Sequence, residues 1–167
     1  MLNINLIDPK AFAQSAQIIE AEVPLAQLDE RVSKHEYIVN HDGVCSFSLK
    51  GGVDKWQRAY LDLTVQAHFS LTCQRCMQPK AFVLDESARI VLFDDEASLD
   101  EAMLQDPDLD GILYEPELNV YSLVEDQIIM ALPFSPMHDD CDNEQLAKVN
   151  RDKPNPFAVL AGLRKSQ

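Results

Sequence analysis

The sequence AYLDLTVQAHFSLTCQRCMQPKAFVLDESARIVLF, residues 59–93, decides the fold of this chain. In its first half, apolar residues occupy every second position with mostly polar residues between them, which predicts a strand with one buried face. A second extended run follows Pro79, which lacks the amide proton that a strand ladder needs and so indicates a bend. The stretch therefore predicts a long antiparallel hairpin that carries Cys73 and Cys76 at its tip.

A further strand is predicted just upstream of the hairpin. Its apolar residues Cys45, Phe47 and Leu49 alternate with mostly polar ones, and Gly51 and Gly52 are expected to supply the turn into the long strand. Because Cys45 shares the apolar side of this strand, we interpret it as a small buried hydrophobic residue rather than a ligand. Three or four successive antiparallel strands make a meander, whose apolar face requires a cover.

Helices are predicted before and after the meander in the sequence. The pair Asp8-Pro9 begins a helix of about three turns, and a second short helix follows it. Downstream, Asn119 is expected to cap a longer helix. Its adjacent carboxylates Glu125 and Asp126 point to different faces, so we interpret them as solvent-exposed. The apolar faces of the three helices are formed by Phe12, Ala16 and Ile19, by Leu25, Leu28 and Val32, and by Val120, Val124 and Ile128.

These elements predict an α+β fold, an antiparallel β-meander or partly open, barrel-like sheet covered by a few helices, with an extended C-terminal tail. One domain is expected over residues 1–147, a length typical of single domains, which run to ~100–200 residues. Within it, residues 94–117 are predicted to be an acidic loop with a turn of helix from Ser98 to Met103, because the pairs Asp106-Pro107 and Asp110-Gly111 break regular structure. Residues 148–167 form a basic, proline-containing tail.

Charge is divided unevenly along the 167 residues, whose net charge is -14. Residues 90–147 contain 16 acidic residues and no Lys or Arg, whereas residues 148–167 contain 5 basic residues and 1 acidic residue. Since an acidic segment repels phosphates, contact with RNA is expected from the first 89 residues or from the tail. The acidic segment alone is interpreted as a solvated loop that aids solubility.

The composition predicts a soluble, cytoplasmic protein. The hydrophobic content is 46%, and the mean hydropathy is -0.19. No apolar run approaches the ~20 residues that span a bilayer, so no membrane contact is expected. The N-terminus lacks the basic and apolar regions of a signal peptide. In a reducing compartment, close cysteine pairs are more often metal or redox sites than structural disulfides.

Cys73-x-x-Cys76 and His138-x-x-Cys141 are the candidate metal ligands. Zn²⁺ favours four nitrogen or sulfur ligands in a tetrahedron, commonly supplied as two close pairs, so a structural zinc is the candidate cofactor. The 61 residues between the pairs exceed the spacing of a compact zinc finger, which leaves open that the second pair is only a polar loop. A redox role is disfavoured, because a redox Cys-x-x-Cys normally opens a helix and here a strand follows.

Basic residues cluster at the hairpin, around Arg75, and in the tail. The extended arm Pro154-Asn155-Pro156 would carry an apolar segment that begins at Phe157 to a partner, although packing on the chain's own domain is the alternative. The candidate partner- or RNA-binding residues are Arg75, Lys153, Pro154, Asn155, Pro156, Phe157, Arg164 and Lys165.

Three segments together resemble the YceD family, the bacterial large ribosomal RNA subunit accumulation proteins. They are CQRC at residues 73–76, the helix from VED at 124–126 to ALP at 131–133, and KPNPFAVLA at 153–161. Some relatives carry a second Cys-x-x-Cys in place of His138-x-x-Cys141, which keeps four zinc ligands. The resemblance implies a cytoplasmic, non-catalytic role in the synthesis, processing or stability of 23S ribosomal RNA. It implies a ribosomal RNA precursor or a basic large-subunit ribosomal protein as partner.

A second class of function stays open, a small zinc- or thiol-dependent enzyme that uses Cys73, Cys76, His138 and Cys141. The sequence contains no G-x-S-x-G, no phosphate-binding glycine loop and no H-E-x-x-H motif. A catalytic zinc also needs an open coordination position for water, and four protein ligands would leave none. We therefore predict a protein that is not an enzyme and has no small-molecule substrate.

Overall fold

Two long antiparallel strands, β4 (Ala59–Thr72) and β5 (Pro79–Phe93), dominate the computed structural model. The structure describes residues 5–141 together with residues 147, 148, 151 and 157. The two strands pair continuously from Tyr60 with Val91 to Thr72 with Pro79. Alternate residues of β4 are buried, so the hairpin and its inward face are as predicted from the sequence.

The hairpin belongs to a five-stranded sheet, whose other strands are β2 (Ile18–Pro24), β3 (Val44–Val53) and β6 (Asp110–Leu113). The strand order is β2-β3-β4-β5-β6, with β4 at the centre. Strands β2 to β5 form an antiparallel meander, whereas β6 pairs with β5 in parallel. A separate short pair joins β1 (Leu6–Ile7) to β7 (Leu118–Asn119). The α+β architecture with an open sheet is confirmed.

Helices α1 (Pro9–Gln14), α2 (Glu30–Ser33) and α4 (Val120–Ala131) and a 3₁₀ turn at Leu25–Gln27 contribute buried residues to the core. A fourth helix, α3 (Glu96–Gln105), contributes none. Asn119 caps α4 by accepting a hydrogen bond from the Tyr121 amide at 3.0 Å, and the buried face of α4 is the predicted one. With 12 residues, α4 is the longest helix in the described part of the chain, and none there has the length and apolarity to cross a bilayer.

The N-terminal helix is shorter than predicted. Helix α1 ends at Gln14, Ala16 has a positive φ of 47°, and the chain then enters β2 instead of continuing as a helix. Along β2, Ile19, Ala21 and Val23 face inward. Ile19 fits both this period of two and the helical period that it shares with Phe12 and Ala16. Hydrogen bonding to β3 favours the strand.

The turn predicted at Gly51 lies further along the chain. Gly51 and Gly52 are part of β3, and the turn is formed by residues 54–58. A Cβ atom on Gly51 would lie 2.6 Å from the carbonyl oxygen of Phe12 and 2.7 Å from the Cα of Ala13. Glycine is therefore needed here because the backbone of α1 passes directly over the strand.

The acidic segment contains more regular structure than the predicted loop, since the turn of helix expected from Ser98 to Met103 is part of the longer α3 and a strand follows it. Asp95 caps α3 by accepting from the Ser98 amide at 2.8 Å, and β6 then pairs with β5. Gly111 allows close contact here, since a Cβ atom would lie 2.6 Å from the Leu99 side chain. The acidic side chains remain at the surface of this helix-strand unit.

The interpretation of Glu125 as solvent-exposed is wrong. Its exposed fraction is 6%, and its carboxylate accepts hydrogen bonds from the Asp29 amide at 2.8 Å and from Arg31 at 3.4 Å. Asp126 is exposed as expected and pairs with the same Arg31 at 2.8 Å. The two carboxylates therefore join α4 to α2, and burial of Glu125 is compensated by its hydrogen bonds.

Candidate metal centre

Cys73, Cys76, His138 and Cys141 converge at the tip of the hairpin. Their ligand atoms all lie within 4.8 Å of one another. The Cys73 and Cys141 Sγ atoms are 3.5 Å apart, and the Cys76 Sγ is 3.4 Å from His138 Nδ1. The structure therefore brings together all four residues that sequence spacing alone left apart.

The first cysteine pair is held by a tight turn that closes the strand ladder. The Met77 amide donates to the carbonyl of Cys73 at 2.9 Å, and the Cys73 amide donates to the carbonyl of Gln78 at 2.9 Å. Met77 has a positive φ of 61°, which turns the chain back toward β5. This turn directs the thiols of Cys73 and Cys76 to the same side.

The second pair is positioned by the segment that follows α4. The carbonyl of Pro136 accepts from the Gln74 amide at 2.7 Å, and the carbonyl of Met137 accepts from the side chain of Lys80. Arg75 donates to the carbonyl of Cys141 at 2.8 Å. These bonds fasten the segment to the hairpin tip independently of any ligand.

The electrostatics at Cys73 favour a thiolate. Its burial opposes ionisation, but backbone amides, among them that of His138 at 3.4 Å, donate to the sulfur and lower its pKa to about 5. The pKa of Cys141 is raised by burial and by the neighbouring sulfur atoms. A bound dication would offset this repulsion, because thiols that coordinate a metal are deprotonated.

The imidazole of His138 is oriented as a metal ligand. Its Nε2 lies 3.2 Å from the carbonyl oxygen of Pro79, where an N–H can donate, and this tautomer leaves Nδ1 as the free lone pair facing Cys76. A backbone carbonyl on the other ring nitrogen is the usual partner of a metal-bound histidine. Three sulfurs and one nitrogen match the donor set of a structural zinc.

Of the candidate partner- or RNA-binding residues, the structure describes only Arg75 and Phe157. Arg75 is half-buried, and its guanidinium contributes to the scaffold of the cluster through Cys141. Phe157 is 69% exposed. The other tail candidates, Lys153, Pro154, Asn155, Pro156, Arg164 and Lys165, lie outside the described residues.

Cys45 has the buried role predicted for it. It is fully buried within the hydrophobic core, and burial raises its pKa to about 11. Lys80, one of the basic residues that the sequence places at the hairpin, anchors the segment that carries His138, a contact that the sequence does not predict. Only its position four residues after Cys76 could have indicated this contact.

Comparison with known proteins gives a consistent result. Residues 61–164, which include all four cluster residues, match the family model described as Large ribosomal RNA subunit accumulation protein YceD. A protein of the same name from Haemophilus influenzae is 34% identical over 149 residues, which cover 77% of this chain and 79% of the relative. No solved structure matches the chain.

Proposed function

Because this chain belongs to the YceD family of large ribosomal RNA subunit accumulation proteins, we propose that it supports the synthesis, processing or accumulation of 23S ribosomal RNA. It does so in the cytoplasm, as a binding factor without catalytic activity. The observation that carries this proposal is the family match over residues 61–164, which includes the convergent cysteine-histidine cluster.

The cluster is proposed to hold a structural zinc. Cys73, Cys76, His138 and Cys141 would fill the tetrahedron, so no position remains for the water that a catalytic zinc activates. When bound, the metal supplies a cross-link between the hairpin tip and the segment after α4. A zinc- or thiol-dependent enzyme is therefore the less favoured alternative.

The hairpin tip itself carries positive charge. Arg75 and Lys80 both donate to backbone carbonyls of the segment that follows α4. We assign Lys153, Pro154, Asn155, Pro156, Phe157, Arg164 and Lys165, with Arg75, to contact with a ribosomal RNA precursor.

The acidic segment fits a second kind of contact. Helix α3 carries Glu96, Asp100 and Glu101, and further carboxylates precede and follow it. Such a surface attracts a basic large-subunit ribosomal protein and repels RNA, so the two partners would occupy different faces.

Co-purification from cells tests the proposal. Large-subunit precursors should be recovered with the tagged protein, recovery should fall steeply with salt, and deletion of residues 148–167 should abolish it. A strain without the protein should accumulate less 23S ribosomal RNA relative to small-subunit ribosomal RNA. Recovery no greater than that of an unrelated protein of equal negative charge, with a normal RNA ratio in the deletion strain, would refute the proposal.

A further inference from the structure

The turn between β3 and β4 presents an exposed aromatic side chain. Trp56 is the single tryptophan of the sequence, and 63% of it is exposed. It lies at the opposite end of β4 from the cysteine cluster, and a strand of 14 residues spans roughly 40 Å. Trp56 also lies outside the residues that match the family model.

Asp54 makes this turn rigid. Its carboxylate accepts from the amides of Trp56 at 2.8 Å and Arg58 at 2.9 Å, and its carbonyl accepts from the Gln57 amide at 3.0 Å. Gln57 takes a left-handed backbone conformation with φ of 63°. The indole is therefore held outward by a preorganised backbone, and binding a ligand would cost little ordering of the turn.

Two cations flank the indole. The Lys55 ammonium lies 4.1 Å from the ring centroid, and the Arg58 guanidinium lies 4.6 Å from it. Arg58 is held by the Asp54 carboxylate at 2.8 Å, whereas Lys55 is exposed and can leave the ring. An exposed aromatic ring beside a movable cation suits a ligand that combines a flat π-face with negative charge.

The neighbouring cavity restricts which nucleic acid can approach the turn. Its volume is about 610 Å³, and Trp56 and Lys55 do not line it. Its lining includes Asp94, Asp95 and Glu101, whose carboxylates repel phosphates. A short unpaired segment can contact Trp56 and Lys55 alone, whereas a duplex would bring more phosphates toward those carboxylates.

We propose that Trp56 is a stacking platform for an unpaired RNA base. The base would take the place of the Lys55 ammonium over the ring, Lys55 would contact a flanking phosphate, and Arg58 would stay paired with Asp54. The proposal rests on the proposed function for the identity of the RNA, an unpaired stretch of the ribosomal precursor. An unpaired strand offers bases whose faces are free to stack on an aromatic ring, whereas paired bases are stacked on one another.

The single tryptophan makes the test direct. Titration of the full chain with a short single-stranded oligoribonucleotide should quench the intrinsic fluorescence, while the same sequence as a duplex should not. Trp56→Ala should weaken the affinity by about 5- to 150-fold, the range supplied by stacking one base, and Trp56→Phe should restore most of it. Lys55→Gln should reduce the slope of log affinity against log salt by about 0.7.

Leu104→Ala serves as the matched control, because Leu104 is an apolar residue with 85% exposure on the acidic helix α3. It should leave the affinity unchanged. The proposal would be overturned if Trp56→Ala bound the oligoribonucleotide as tightly as the wild type. It would also be overturned if the duplex or inorganic polyphosphate quenched the fluorescence equally. The same holds if Trp56→Ala lost a co-purifying ribosomal protein but kept its RNA binding. If Trp56→Ala still recovers precursors as wild type does, only the stacking platform fails and the proposed function stands.

Discussion

The Sγ atoms of Cys73 and Cys141 lie 3.5 Å apart, although the two residues are 68 positions apart in the sequence. One thiol ends the central strand, and the other follows the helix that packs on the sheet. A ligand that bridges them would connect the two halves of the domain, which makes metal content and stability the first properties to measure.

Purified protein is expected to contain one zinc per chain. Cys76→Ser should lose the metal, because three remaining ligands from two segments cannot complete the tetrahedron. Elemental analysis checks this. Cys45→Ala is the control, since Cys45 is buried in the core outside the cluster, and it should keep full zinc content. Equal zinc in both variants would exclude the cluster as the binding site.

Metal-free protein should lose stability as the pH falls from about 9 to about 5. The pKa of Cys73 is lowered from 9.0 to about 5 in the folded state. Its ionised form therefore stabilises the fold fully at pH values above the unfolded pKa. This stabilisation is lost as the pH falls through the folded pKa. Urea midpoints across this range, with thiolate absorbance in parallel, measure the effect. Cys73→Ser should flatten the profile; an unchanged profile would contradict the assignment.

Glu125→Ala should destabilise the domain by about 1–3 kcal/mol, because the Asp29 amide and Arg31 lose the acceptor that the buried Glu125 carboxylate provides. Glu125→Gln retains an acceptor at this position and should cost less. Urea unfolding measures both variants. Asp126→Ala removes the exposed partner of Arg31 and should change stability much less. A loss as large for Asp126→Ala as for Glu125→Ala would show that burial is not the cause.

Gly51→Ala should destabilise the domain by about 1–3 kcal/mol, because the added Cβ would meet the backbone of α1 rather than a side chain that can move. Thermal unfolding provides the measurement. Lys50→Ala, at the adjacent exposed position of the same strand, is the control and should be close to neutral. If Gly51→Ala were also neutral, α1 could not lie as close to β3 as the structure places it.

Local sequence patterns were sufficient for the hairpin and for α4. The alternation along β4 has only one amphipathic solution, and the Asn119 cap with its helical apolar period fixes the start and buried face of α4. They failed at β2, where Ile19 fits both a helical and a strand period and the choice depends on hydrogen bonds to β3.

The sequence by itself determined the ligand types, the long hairpin that carries Cys73 and Cys76, and the division of charge. Only the tertiary structure decided that His138 and Cys141 reach those thiols, that Glu125 is buried, and that the acidic segment adds a strand to the sheet. The physical reason is range. Periodicity and caps act over a few residues, whereas convergence across 61 intervening residues depends on how α4 packs on the sheet and on where its following segment bonds to the hairpin tip.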